Sequence, residues 1–117
     1  MADAEPISWK HLKARTPGDA DRAALRETLL ERAALVAAQG WNAYRDTWTP
    51  SDLAAVAYLL EDTDMLAELD EHEGAVLTRF AGELYGFQGA RKEIESGLRG
   101  TQEWFAAARA ELARRGR

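Results

Sequence analysis

The chain has no cysteine among its 117 residues. It can therefore build neither a disulfide framework nor thiolate chemistry, and it suits a reducing compartment. No apolar run exceeds Leu53 to Leu60, far short of the ~20 residues a membrane-spanning helix needs. Met1 to Pro6 is acidic and lacks an apolar stretch, so it does not resemble a secretory signal. The expectation is a cytoplasmic protein without membrane contact. No segment alternates polar and apolar residues for long enough to make a strand. Serine is scarce (Ser8, Ser51, Ser96), and none lies in a nucleophile-elbow context. There is no phosphate-cradling loop and no dinucleotide fingerprint. Short spacings such as Gly86 to Gly89 and Gly97 to Gly100 lack the preceding strand that would give them meaning.

Cations are missing from one long stretch. Between Asp46 and Thr78 there are nine acids and no Lys or Arg, a local charge of −9 in a chain of net charge −5. The remainder therefore carries +4. Lys10, Lys13 and Arg15 sit near one end, and Arg109, Arg114, Arg115 and Arg117 near the other. Basic ends and an acidic middle are either solvated faces or docking surfaces for a partner of opposite charge.

What the chain has in quantity is Ala and periodic Leu, both favourable in helices. Thr16-Pro17-Gly18-Asp19 and Thr49-Pro50-Ser51-Asp52 repeat one helix-start signal. Thr caps free N–H groups, Pro fits the first helical position, and Asp meets the positive end of the helix dipole. The first helix should run from Pro17 to about Gln39 and close at Gly40, burying a stripe of Leu25, Leu29, Ala33 and Val36 widened by Leu30, Ala34 and Ala37. Trp41, Tyr44 and Trp48 lie in the connector that follows, placed either to plug the end of a helical core or to form an exposed aromatic patch. A second helix is expected from Pro50 to near Asp70. A third is expected through Val76, Leu77, Phe80, Leu84 and Phe87, with a turn at Gly86 and Gly89. The last follows a heptad seam of Ile94, Leu98, Thr101, Phe105, Ala108 and Leu112. Gly97 and Gly100 in that seam imply a break or close packing of another backbone.

These patterns predict an all-α fold: a compact bundle of four main helices with a short N-terminal helical arm. The arm covers residues 1–16 and the single helical domain residues 17–117. The predicted core includes Leu25, Leu29, Val36, Trp41, Leu53, Val56, Leu60, Leu77, Phe80, Leu84, Ile94, Leu98 and Phe105. The 33-residue offset between the two Thr-Pro signals suggests a repeat, but the residues after them do not match.

Two constellations carry candidate chemistry. Glu61, Asp62, Asp64, Glu68, Asp70, Glu71 and Glu73 form an acidic surface suited to a basic partner. Trp9, Lys10, His11, Lys13 and Arg15 form an arm that suits phosphate and base stacking, contact with a protein, or packing of Trp9 onto the bundle. Asp64, Glu68 and His72 have helical metal-ligand spacing but lack further ligands. Asp62-Thr63-Asp64 begins like a calcium loop without its glycine and terminal glutamate. No catalytic residue, cofactor, metal or small-molecule substrate is expected from these patterns.

From Gly40 to Glu71 the chain resembles small terminase subunits of actinobacterial phages. The residues concerned are Gly40-Trp41, Trp48-Thr49-Pro50-Ser51-Asp52-Leu53 and Asp62-Thr63-Asp64-Met65-Leu66-Ala67-Glu68-Leu69. No Arg-rich recognition helix accompanies them. The resemblance implies a non-catalytic oligomer that recognises viral DNA and hands it to a motor, and virion association. The functional expectation is a non-enzymatic, oligomeric interaction or assembly protein, with a phage-type DNA-packaging adaptor as its concrete form. The alternative is an acidic inhibitor or immunity-type protein masking a basic site on its partner. A carboxylate-based enzyme or metal protein comes third.

Overall fold

A computed structural model describes residues 16–116. The fold is all-α, with helices α1 (Asp19–Gln39), α2 (Pro50–Leu59), α3 (Thr63–Glu68), α4 (Glu73–Glu95) and α5 (Arg99–Arg115), and a 3₁₀ turn at Trp41–Ala43. Four of these are main helices, as expected; the short α3 is the end of the expected second helix, detached from it. No helix among the described residues is long and apolar enough to cross a membrane. Residues 1–15 of the expected N-terminal helical arm lie outside the described residues.

Helix α2 is the axis of the bundle. Every residue from Leu53 to Leu59 is buried, as befits a helix apolar on all sides. Helices α1, α4 and α5 all contact it. Phe105 of α5 is fully buried where these helices meet. Tyr58 meets its ring edge-on at 4.7 Å, and Phe80 lies 5.0 Å away. Truncating such a residue to Ala typically costs about 3–5 kcal/mol.

The two Thr-Pro signals behave differently. The second works as expected: Pro50 opens α2, and the Thr49 hydroxyl accepts from the Asp52 N–H at 3.1 Å. The first does not. Helix α1 starts two residues late, at Asp19, with Gly18 as its cap, and the Gly18 N–H donates to Asp21 at 2.8 Å. Thr16 and Pro17 are held instead against Gly86 of α4, where an added Cβ would lie 3.2 Å from Pro17. A tertiary contact has displaced a local preference.

Four further expectations are corrected. The predicted second helix breaks after Leu59. Glu61 takes φ 57°, and the Asp62 carboxylate accepts from the Met65 N–H at 3.0 Å, starting α3. Asp side chains compete for nearby backbone donors in this way. The predicted third helix does not end at Gly86. It kinks there (φ 80°, ψ −179°) and continues through Gly89 to Glu95. The heptad seam is consequently cut: Ile94 belongs to α4 and is 51% exposed, and Phe87 is 79% exposed. From Thr101 onward the seam holds, with Thr101, Phe105 and Ala108 fully buried. On α1, Ala34 and Ala37 are exposed rather than part of the stripe.

Both meanings of the Gly97/Gly100 pair are realised. Gly97 (φ 87°) and Leu98 (φ 62°) make the break before α5. Gly100 admits the Glu93 carboxylate, which would lie 2.7 Å from an added Cβ. That carboxylate accepts from the Thr101 N–H and hydroxyl, each at 2.7 Å.

The backbone angles of Gly86 fall in a region essentially restricted to glycine. Gly86→Ala is therefore expected to lower unfolding free energy by about 1–3 kcal/mol. Gly82→Ala, on the same helix with open space around its Cβ position, is expected to raise it by up to about 1 kcal/mol. Urea titration of both variants checks the contrast, and equal effects would contradict the kink's role.

Candidate functional site: an acidic hollow

The aromatic connector settles the position of the acidic segment. Trp41, Tyr44 and Trp48 are half-buried against the core, so they plug it. Tyr44 and Trp48 stack at 4.4 Å. The Trp41 indole N–H donates to Asp62 Oδ2 at 2.9 Å. Asp62 thus has both oxygens engaged, one capping α3 and one holding the connector. It is a structural residue and not part of a free acidic surface.

Two other predicted acids are neutralised by cations from outside the acidic stretch. Glu68 pairs with Arg45, and Glu71 with Arg79 at 2.7 Å. The Arg45 hydrogen bond holds the Glu68 carboxyl below its ordinary range. The remaining four, Glu61, Asp64, Asp70 and Glu73, are exposed and make no ion pair among the described residues. Asp70 sits at φ 58° in the turn between α3 and α4, a conformation Asp tolerates better than most residues.

Around them are two adjacent open hollows sharing Thr63, Leu66 and Glu73. The larger, about 390 Å³, also carries Asp70, Glu71 and His72. The smaller, about 170 Å³, carries Tyr58, Glu61 and Arg109. Leu66, 4% exposed, supplies an apolar element to both.

Arg109 was expected in a basic C-terminal cluster, but it turns inward. It donates through Nε to the Leu59 carbonyl at 2.9 Å and through Nη2 to the Tyr58 carbonyl at 2.6 Å. Its guanidinium also lies 4.7 Å from the Tyr58 ring centre. These carbonyls end α2, where a cation also meets the negative end of the helix dipole. The partners lie 50 and 51 residues apart in the chain, so no local spacing could reveal them.

The Asp64, Glu68 and His72 spacing is not realised on one helix. Helix α3 ends at Glu68, and His72 is the residue before α4. Among the described residues, no group of three or more His, Cys, Asp or Glu is arranged to hold a metal ion. Trp9, Lys10, His11, Lys13 and Arg15 lie outside the described residues.

A carboxylate elsewhere is shifted upward. Glu83 lines a separate hollow with Arg32 and Asp52. Burial pushes its pKa above the ordinary 4.5, and Asp52 adds to the rise. A raised folded-state value favours the protonated form, whose stabilisation is complete below about pH 4.5 and fades as pH rises through the folded value. Glu83→Gln is therefore expected to raise the melting temperature at pH 7 but not at pH 3.5, read by circular dichroism.

Asp62→Ala should cost about 2 kcal/mol, since it removes a cap and the Trp41 bond. Arg109→Ala should cost about the same, because two buried carbonyls lose a charged donor. Chemical denaturation checks both; a loss under about 0.5 kcal/mol would contradict these roles. No family model, curated protein or solved structure matches the chain.

Proposed function

We propose that this is a non-enzymatic interaction protein that docks a basic segment of a protein partner across its acidic hollow. The observation that supports it is the arrangement of Glu61, Asp64, Asp70 and Glu73. Glu61, Asp70 and Glu73 line the two adjoining hollows and Asp64 lies in the first turn of α3 beside them; all four are exposed and make no ion pair among the described residues, within a stretch that has no cation of its own. Carboxylates free of local cations suit the charged heads of Lys or Arg side chains.

Individual exposed pairs contribute about 0.2–1 kcal/mol. Four such pairs give a modest, salt-sensitive affinity and a faster encounter. Two sources of the basic segment fit. One is another copy of this chain, the assembly form implied by the likeness to small terminase subunits. The other is a foreign protein whose basic site is masked, the inhibitor form. Light scattering after size exclusion separates them: a mass above the monomer supports assembly, and a monomer at high concentration supports the inhibitor form.

The hollow itself is tested with a defined Lys/Arg-rich peptide, its neutral analogue and fluorescence anisotropy at low salt. The variant Glu61→Gln, Asp64→Asn, Asp70→Asn, Glu73→Gln spares the carboxylates that hold the fold. It is expected to weaken peptide binding at least tenfold while leaving the melting temperature within a few degrees. Binding unchanged in this variant, or equal for the neutral peptide, would overturn the proposal.

A further inference from the structure

The hollow that Glu83 lines is distinct from the acidic one and more enclosed. It measures about 200 Å³ and lies where α1, α2 and α4 meet. Leu25, Leu29, Ala55 and Phe80 give it an apolar wall. Leu29, Ala55 and Phe80 belong to the core, and none is more than 5% exposed. A recess this close to a core is normally filled by a neighbouring side chain, because protein interiors pack densely.

The polar groups of the hollow are unequally engaged. Arg32 and Asp52 pair at 3.3 Å, so these two charges offset each other. Glu83 makes no ion pair and no hydrogen bond among the described residues, and the Thr28 and Ser51 hydroxyls make no hydrogen bond among them either. A carboxylate and two hydroxyl oxygens are therefore free to accept, beside a wall of hydrocarbon. The charged groups that act on Glu83 are Asp52, Arg32 and Arg79; burial, followed by Asp52, outweighs the two guanidiniums, so its pKa lies above the ordinary 4.5. A carboxylate that destabilises the fold and holds nothing in it is what functional positions show.

We propose that this hollow binds a small organic cation, a primary alkylammonium ion, with its ammonium head at Glu83 and its hydrocarbon body against Leu25, Leu29 and Phe80. The head carries N–H donors only, and the groups left free in the hollow are acceptors. A cation supplies the counter-charge that Glu83 lacks. An anion would meet like charge, and a neutral ligand would leave the carboxylate shielded from water without a partner. The volume equals that of about seven water molecules in the liquid, which limits the ligand to about that many non-hydrogen atoms. Glu61, Asp64, Asp70 and Glu73 take no part, so this inference and the acidic hollow stand independently.

The test titrates n-pentylammonium and the neutral 1-pentanol into the full chain at pH 7 and constant ionic strength, read by isothermal calorimetry. The ammonium ion is expected to bind about tenfold more tightly than the alcohol, the gain from one charged hydrogen bond. Glu83→Gln, expected to be folded and no less stable at this pH, should abolish that preference. Glu61→Gln, in the acidic hollow, should leave it unchanged. A carbon-13 NMR titration of the Glu83 carboxyl supplies a second readout: saturating pentylammonium should lower its pKa, because a bound cation favours the ionised form. Equal binding of the two probes would overturn the proposal, as would a preference that survives Glu83→Gln. A preference lost in Glu61→Gln would also overturn it, and would assign the cation to the acidic hollow.

Discussion

At Gly86 the longest helix changes direction, and three parts of the chain are fixed there. The φ of 80° and ψ of −179° strain any residue with a Cβ, and the missing side chain makes room for Pro17. The kink is also held from α1. Arg22 donates to the Leu84 carbonyl at 3.0 Å and to the Pro17 carbonyl at 3.2 Å, and its guanidinium lies 5.3 Å from the Tyr85 ring centre. One side chain thus ties the start of α1 to the bend in α4. Before the bend, Val76, Leu77, Phe80, Ala81 and Leu84 face the core; after it, Phe87 and Ile94 face outward. A single backbone conformation separates the half of α4 that builds the bundle from the half whose Phe87 and Ile94 are exposed.

The second organising fact is where the cations are. The stretch from Asp46 to Thr78 contains none, so every guanidinium that touches it arrives from another part of the chain. Arg45 and Arg79 reach in from its edges to Glu68 and Glu71. Arg32 of α1 reaches Asp52 at 3.3 Å and lies 5.5 Å from the Trp48 ring centre. Arg109 of α5 takes the last carbonyls of α2. Charge segregation along the sequence becomes charge pairing across the fold. The carboxylates of that stretch left with neither an ion pair nor a hydrogen bond among the described residues are Asp46, Glu61, Asp64, Asp70 and Glu73.

Helix class, the α2 start at Thr49, the aromatic plug and most of the core were legible in the sequence, because each depends on spacing within one or two turns. The buried Leu29, Val36, Leu53, Val56, Leu77, Phe80, Leu84 and Phe105 are all positions that periodicity alone selects. The failures share a different cause. Thr16-Pro17 carries the same cap chemistry as Thr49-Pro50, yet a distant glycine claims it. Ile94 fits a heptad on paper, but the break at Gly97 and Leu98 puts it on another helix. Of the seven acids in the candidate surface, Asp62, Glu68 and Glu71 are occupied by Trp41, Arg45 and Arg79. Sequence distances of 21, 23 and 8 residues separate these pairs, so no periodic pattern announces them. The one available signal was Asp62 itself: an Asp three residues before a backbone donor is cap chemistry, and a cap is not free to bind anything else.

The guanidinium contacts between helices also carry a temporal meaning. Arg109 joins residues 50 and 51 apart, Arg22 residues 62 apart, and Arg115 reaches Glu27 across 88. Each closes a long loop, and the entropy of closure must be overcome before the bond can form. Contacts between segments so far apart raise the contact order of a fold whose helices are otherwise local, and contact order slows folding. The scattered arginines therefore act as latches between distant segments, each tying one helix to another that the chain reaches only after a long detour.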